Sequence, residues 1–275
     1  LIRVKDIQVP ALAGTKVVPR NLSSFFGDDF IFLGVNGMII EELGRFKTND
    51  EPQPVTPYMK KHADSKSRTA ELFLGITAPN IRRVAKKHYQ SVTDAELSSL
   101  LKSPVYDYRG CALVMLTYKM QKADLDEQRK IVKFYLKHIE YVNSWGLVDM
   151  SAPYILGRYM LRTQDFTLLF SYATSDDLWK KRISIVSTWM LIRNNQFDVT
   201  LKIVEILMGD KHDLIHKACG WMLREVGNRN RVTLDDFLEK NYASLPRTTL
   251  RYAIERHEEP IRKAILKGDF SWRRQ

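Results

Sequence analysis

Polar or aromatic side chains interrupt otherwise apolar helical stretches at a near-constant interval: Trp145 with Asp149, then Arg182, then Trp221. The steps are 37 residues from Trp145 to Arg182 and 39 from Arg182 to Trp221. Two-helix repeats of about 40 to 47 residues stack so that positions one period apart become neighbours on one face. The spacing therefore predicts a helical-pair solenoid in which these four side chains share one site.

From about Asn80 onward the pattern is helix after helix, with apolar residues at a period of 3.6 and short breaks. Thr93 with Glu96 forms a capping box, Ser175 and Asp176 precede one periodic stretch, and Asp210 precedes another. Gly209 and Gly227 each follow a periodic stretch as a left-handed C-cap would, and Pro104 and Pro246 suit helix starts. No strand-like alternation competes here, so the expected fold is all-α. Residues 1–37 lack helical periodicity; Met38 opens a short amphipathic stretch over 39–46, and a polar, proline-containing linker follows over 47–56. The expected division is an extension of uncertain status at 1–37 and one repeat domain over 38–275.

Charge separates the two parts. Residues 1–56 hold 6 Lys and Arg against 7 Asp and Glu, leaving 37 against 25 of the chain's 43 and 32 for the remainder. All of the net +11 thus belongs to the helical part. A basic solenoid with a concave face suits a polyanion, most simply nucleic acid, through phosphate contacts and counterion release; a merely solubilising charge is the plainer alternative. No apolar run approaches the roughly 18 residues of a membrane span, and no secretory leader is read from the first residues. Cys111 and Cys219 sit inside helical patterns without metal spacing and read as small buried hydrophobes of a reducing compartment. His212 and His216 stand four apart, yet no third ligand accompanies them. Neither a metal nor a cofactor is expected. Arg82, Arg83, Lys86 and Lys87 make a charged helical face suited to solvent or to a nucleic-acid backbone.

The helix expected over 144–162 carries the candidate site. Trp145, Ala152, Leu156 and Tyr159 recur on one stripe, and Asp149 lies on that stripe one turn from Trp145. An ionised carboxylate on an apolar side needs a cationic or hydrogen-bonding partner, or a wet cleft. Arg182 follows Leu178 by four and precedes Ile185 and Trp189 on a similar stripe. Two readings stand side by side: Arg182 as the structural partner of Asp149, or Arg182 meeting a phosphate while Asp149 meets a cation. Trp221, taken alone, reads more simply as core.

At these residues the chain resembles the AlkD-like DNA alkylation repair family, HEAT-repeat DNA glycosylases. The resemblance is carried by Trp179-Lys180-Lys181-Arg182-Ile183 continuing to Arg193, by Gly209-Asp210-Lys211-His212-Asp213-Leu214-Ile215-His216-Lys217-Ala218, and by Gly220-Trp221-Met222-Leu223-Arg224-Glu225. Weaker companions are Tyr58-Met59-Lys60, Phe73-Leu74-Gly75-Ile76, Asn143-Ser144-Trp145 with Val148-Asp149, and Leu250-Arg251-Tyr252-Ala253-Ile254-Glu255. The resemblance runs from about Met38 to Lys267. It implies a HEAT-like solenoid, with Asp149 as catalytic carboxylate, Trp145 and Trp221 packed on the deoxyribose and backbone of the lesion, and Arg182 on a DNA phosphate. It further implies duplex DNA bearing alkylated purines as substrate, a monomer without cofactor or obligate protein partner, and a cytoplasmic, nucleoid-associated location. Two features depart from the pattern: the join over 64–71 is longer than usual, and residues 1–37 have no counterpart. A non-catalytic DNA-binding relative and a protein-interaction scaffold are the rival readings.

Overall fold

A computed structural model describes residues 35–51, 53–54 and 72–274. Most of the 1–37 extension, the Tyr58-Met59-Lys60 block and the 64–71 join therefore lie outside the described residues. The described part is an all-α helical repeat with one continuous apolar core. Besides its helices it has a two-residue antiparallel ladder, β1 (Gln53–Pro54) on β2 (Leu72–Phe73), and an isolated parallel bridge from Leu72 to Val105.

The helices are α1 (Val35–Gly44), α2 (Ala78–His88), α3 (Asp94–Lys102), α4 (Tyr106–Lys122), α5 (Leu125–Lys137), α6 (Trp145–Ala152), α7 (Arg158–Thr163), α8 (Thr167–Ala173) and α9 (Leu178–Ser187). They continue through α10 (Trp189–Arg193), α11 (Asp198–Leu207), α12 (Asp213–Arg229), α13 (Arg231–Asn241), α14 (Arg247–Ala253) and α15 (Glu259–Lys267). One row is formed by α2, α4, α6, α9, α12 and α14, each packed on the next. The remaining helices cover its other side; α3 and α5 flank α4, while α11 and α13 flank α12. This adjacency is what a period near 38 residues predicts, and it brings α6, α9 and α12 together.

Local chemistry explains several boundaries. The Thr93 box is present in both directions: Thr93 Oγ1 accepts from Glu96 N at 3.3 Å and Glu96 Oε2 accepts from Thr93 N at 2.8 Å. Two starts are displaced from their sequence reading. The N-cap of α9 is Asp177, which accepts from Lys180 N at 2.8 Å while Ser175 Oγ accepts from Asp177 N. That of α12 is His212, whose Nδ1 accepts from Leu214 N, with Asp210 holding His212 N from two residues upstream.

Gly209 does stand just past the C-cap of α11, Met208, but not in the left-handed conformation. Among the described glycines only Gly75 and Gly268 have positive φ, and Gly268 ends α15 in the left-handed conformation. Gly227 lies inside α12, where a Cβ would collide with Leu234 Cδ2, so the missing side chain admits α13 rather than ending a helix. Periodicity alone does not separate these uses of glycine.

The start of the repeat is anchored by buried polar groups. Asp107 accepts from Leu74 N at 2.8 Å and Ile76 N at 3.0 Å, tying the segment after β2 to α4. Burial pushes its carboxyl upward, and the backbone hydrogen bonds oppose that. On α1, Ile39 and Leu43 are fully buried and Glu42 binds Lys87 and His88 of α2, each at 2.8 Å. Because α1 begins at Val35, Met38 stands inside its first turns rather than at its start.

Candidate functional site

The helix expected over 144–162 is continuous but not uniform. Pro153 has no N–H to give the ladder and its ring crowds the preceding turn; the chain responds with a π-helical turn, Pro153–Gly157, between α6 and α7. At Gly157 a Cβ would collide with the Ser187 carbonyl, so only glycine lets the end of α9 come this close. That approach sets α9 beside α6 with Arg182 facing Asp149.

Asp149 and Arg182 make a bidentate pair. Arg182 Nε donates to Asp149 Oδ1 at 3.0 Å and Nη2 donates to Oδ2 at 2.8 Å, while Nη1 donates to the Leu214 carbonyl at 2.7 Å. Arg182 is buried; Asp149 keeps 21% of its side chain exposed. Burial pushes the Asp149 carboxyl above its ordinary range, and the charge and hydrogen bonds of Arg182 pull it back in part. Of the two readings the sequence left open, the pairing is the geometry observed.

A cleft of about 240 Å³ opens over this pair, lined by Trp145, Asp149, Arg182, Leu214, Lys217, Trp221, Arg224 and Tyr252. All four side chains singled out by the repeat interval reach it. Trp221 is fixed by its indole N–H, which donates to Glu225 Oε1 at 3.2 Å. Lys217 pairs with Asp213 at 2.7 Å and Arg224 with Glu255. Close packing at Gly220, where a Cβ would meet Tyr252 Cβ at 2.5 Å, seats α14 on α12 and brings Tyr252 to the rim.

Lys217, Arg224 and Tyr252 escaped the sequence reading. Lys217 and Arg224 stand four before and three after Trp221, the helical neighbours of a known site residue, so that signal was available. Tyr252 gave none beyond its place in a family block. The residues set aside elsewhere have local roles: His216 Nε2 bonds the Asp210 carbonyl at 2.6 Å, Lys87 pairs with Glu42, and Arg83 lies 5.3 Å over the Phe46 ring. Cys111 and Cys219 are buried free thiols, pushed up to about 12 by desolvation.

What this arrangement can do chemically is narrow. It presents one carboxylate at the floor of a cleft with aromatic walls, and surrounds it with cations that are themselves paired. Such a site suits a positively charged centre more than a second anion.

The sequence profile of the DNA alkylation repair enzyme family matches residues 39–257, and the chain belongs to that family. Among solved structures it is similar to the "Predicted DNA alkylation repair enzyme from Enterococcus faecalis", with a TM-score of 0.57 and 18% sequence identity, over 74% of this chain and 92% of that one. At that identity the likeness shows the fold. No curated protein sequence matches the chain. No helix among the described residues is long and apolar enough to cross a membrane.

Proposed function

We propose that the protein is a DNA glycosylase that hydrolyses the N-glycosidic bond of cationic alkylated purines, 7-alkylguanine and 3-alkyladenine, in duplex DNA. The observation that carries this reading is the single carboxylate of Asp149 in a cleft walled by Trp145 and Trp221. Ordinary glycoside hydrolysis needs two carboxylates, one to protonate the leaving group. A purine alkylated on a ring nitrogen already bears positive charge, and its departure as a neutral base needs no acid.

In this reaction the C1′–N bond breaks and its electron pair neutralises the base. The sugar is left with oxocarbenium character, which the Asp149 carboxylate stabilises by charge while the indole faces favour the same cation through their quadrupoles. Water then adds at C1′ and gives up a proton to Asp149 or to solvent, leaving an abasic deoxyribose. Arg182 acts as a positioning residue: its fork fixes both oxygens of Asp149 and keeps the carboxylate ionised against its burial. A phosphate contact through its remaining N–H groups is the second role, the one the resemblance implies. A monomer acting alone on DNA where the chromosome lies is part of the same proposal.

Release of free alkylated base from methylated duplex DNA tests the reading. The wild-type protein is expected to release 7-methylguanine or 3-methyladenine and Asp149→Asn is not; a wild-type protein that binds methylated duplex without releasing base instead supports the non-catalytic alternative.

A further inference from the structure

The cations of the cleft are poorly placed to attract a polyanion, because each is already neutralised: Arg182 by Asp149, Lys217 by Asp213, Arg224 by Glu255. At the C-terminal ends of these repeats the balance reverses. Trp189 and Arg193 continue the stripe of Arg182, seven and eleven residues on. The Arg193 guanidinium lies 4.8 Å over the Trp189 ring, and exposed Tyr154 meets the same ring edge-on at 5.6 Å. Arg229 Nη2 donates to the Arg193 carbonyl at 2.6 Å, and Arg231 Nη2 donates to the Arg256 carbonyl at 3.2 Å. The result is a ridge of three held guanidiniums, those of Arg193, Arg229 and Arg231, at the ends of successive repeats. None of the three has a carboxylate partner among the described residues.

We propose that this ridge, rather than the cleft, is the principal surface for the phosphate backbone of duplex DNA. The inference rests on the DNA reading above. Stacking on Trp189 and anchoring to backbone carbonyls hold the guanidinium planes without cancelling their charge, and each keeps N–H groups for phosphate oxygens. Trp221 and Arg229 are eight residues apart on α12, about 12 Å by helical rise. That is close to the width of the major groove of B-form DNA, about 12 Å. A duplex with its damaged nucleotide at the cleft then has the ridge within about one groove width. Binding and chemistry are divided between an uncompensated cationic ridge and a compensated cleft that receives a cationic base.

The test is affinity for undamaged duplex DNA, which involves no base release. The variant Arg193→Gln/Arg229→Gln/Arg231→Gln is expected to bind at least about tenfold more weakly at moderate salt, with the slope of log affinity against log salt shallower by about 0.9 for each phosphate no longer neutralised. The comparison variant Lys217→Gln/Arg224→Gln is expected to lose less. Equal affinity and salt slope in ridge variant and wild type, or a larger loss in the cleft variant, would overturn the proposal. Should the ridge variant not melt like the wild type, arginine-specific modification of the wild-type protein decides. Protection of Arg193, Arg229 and Arg231 by duplex DNA supports the ridge, and full modification contradicts it. A protein that binds through the ridge yet releases no base sinks the glycosylase reading alone, and one that releases base with a silent ridge sinks this one alone.

Discussion

Asp149 and Arg182 meet through two parallel hydrogen bonds, 3.0 and 2.8 Å, across the neighbouring helices α6 and α9. A carboxylate offers about four lone-pair sites, and Arg182 occupies two of them. The exposed remainder of Asp149 faces the cleft, so the same side chain closes a structural joint and presents a charge.

Removing the arginine therefore costs stability. Arg182→Ala leaves Asp149 unpaired and frees the Leu214 carbonyl, and is expected to lower stability by about 3 kcal/mol. For a domain of this size that lowers the melting midpoint by roughly 6–12 °C. An unchanged midpoint would show that the pair does not hold α6 to α9.

The acid side of the activity profile follows from the raised Asp149 carboxyl. Its proton is held more tightly folded than unfolded, so between the unfolded and folded values stability falls as pH rises. The penalty is absent below that window and complete above it. Base release needs the ionised form, so its acid limb should lie above the ordinary carboxylate range. Arg182→Gln should move the limb higher still, because the opposing charge is gone. Single-turnover rates from acid to neutral pH check both; a limb at or below the ordinary range contradicts the assignment.

The indole of Trp221 depends on Glu225. Glu225→Leu removes its acceptor and is expected to slow base release about fivefold, the equivalent of one net hydrogen bond of about 1 kcal/mol. Glu225→Gln keeps an acceptor and should stay near the wild-type rate. Equal effects of the two substitutions would mean that charge, not orientation, is at work.

A chain beginning at Met38 is expected to unfold cooperatively with a midpoint near that of the full protein. Ile39 and Leu43 of α1 are buried and both are kept. A chain beginning at Lys47 lacks them together with the Glu42 pair, and should melt distinctly lower. Loss of cooperativity on cutting at Met38 would show that residues 1–37 contribute packed structure.

Much of this site was legible because a repeat converts sequence interval into spatial adjacency. Trp145, Asp149, Arg182 and Trp221 were recoverable from a period alone, without any contact being known. What periodicity could not supply was the identity of partners. The Asp149–Arg182 pair depends on how closely α6 and α9 approach, which is set by the absent side chain of Gly157 and by the extra residue accommodated after Pro153. Glycine was misread for a related reason, since Gly227 serves packing between helices and only its spatial neighbour Leu234 reveals that. The N-caps at Asp177 and His212 were displaced by one or two residues because neighbouring polar side chains compete for the same first-turn N–H groups.

The most direct measurement of the central claim is base release from methylated duplex DNA by the purified protein beside Asp149→Asn, with DNA affinity and melting midpoint recorded for both. Asp149→Asn keeps the size and one acceptor but loses the charge that stabilises the sugar cation. It should abolish most release while remaining folded and binding DNA as tightly as the wild type or slightly more so. Wild-type release by folded Asp149→Asn would contradict the catalytic assignment of Asp149.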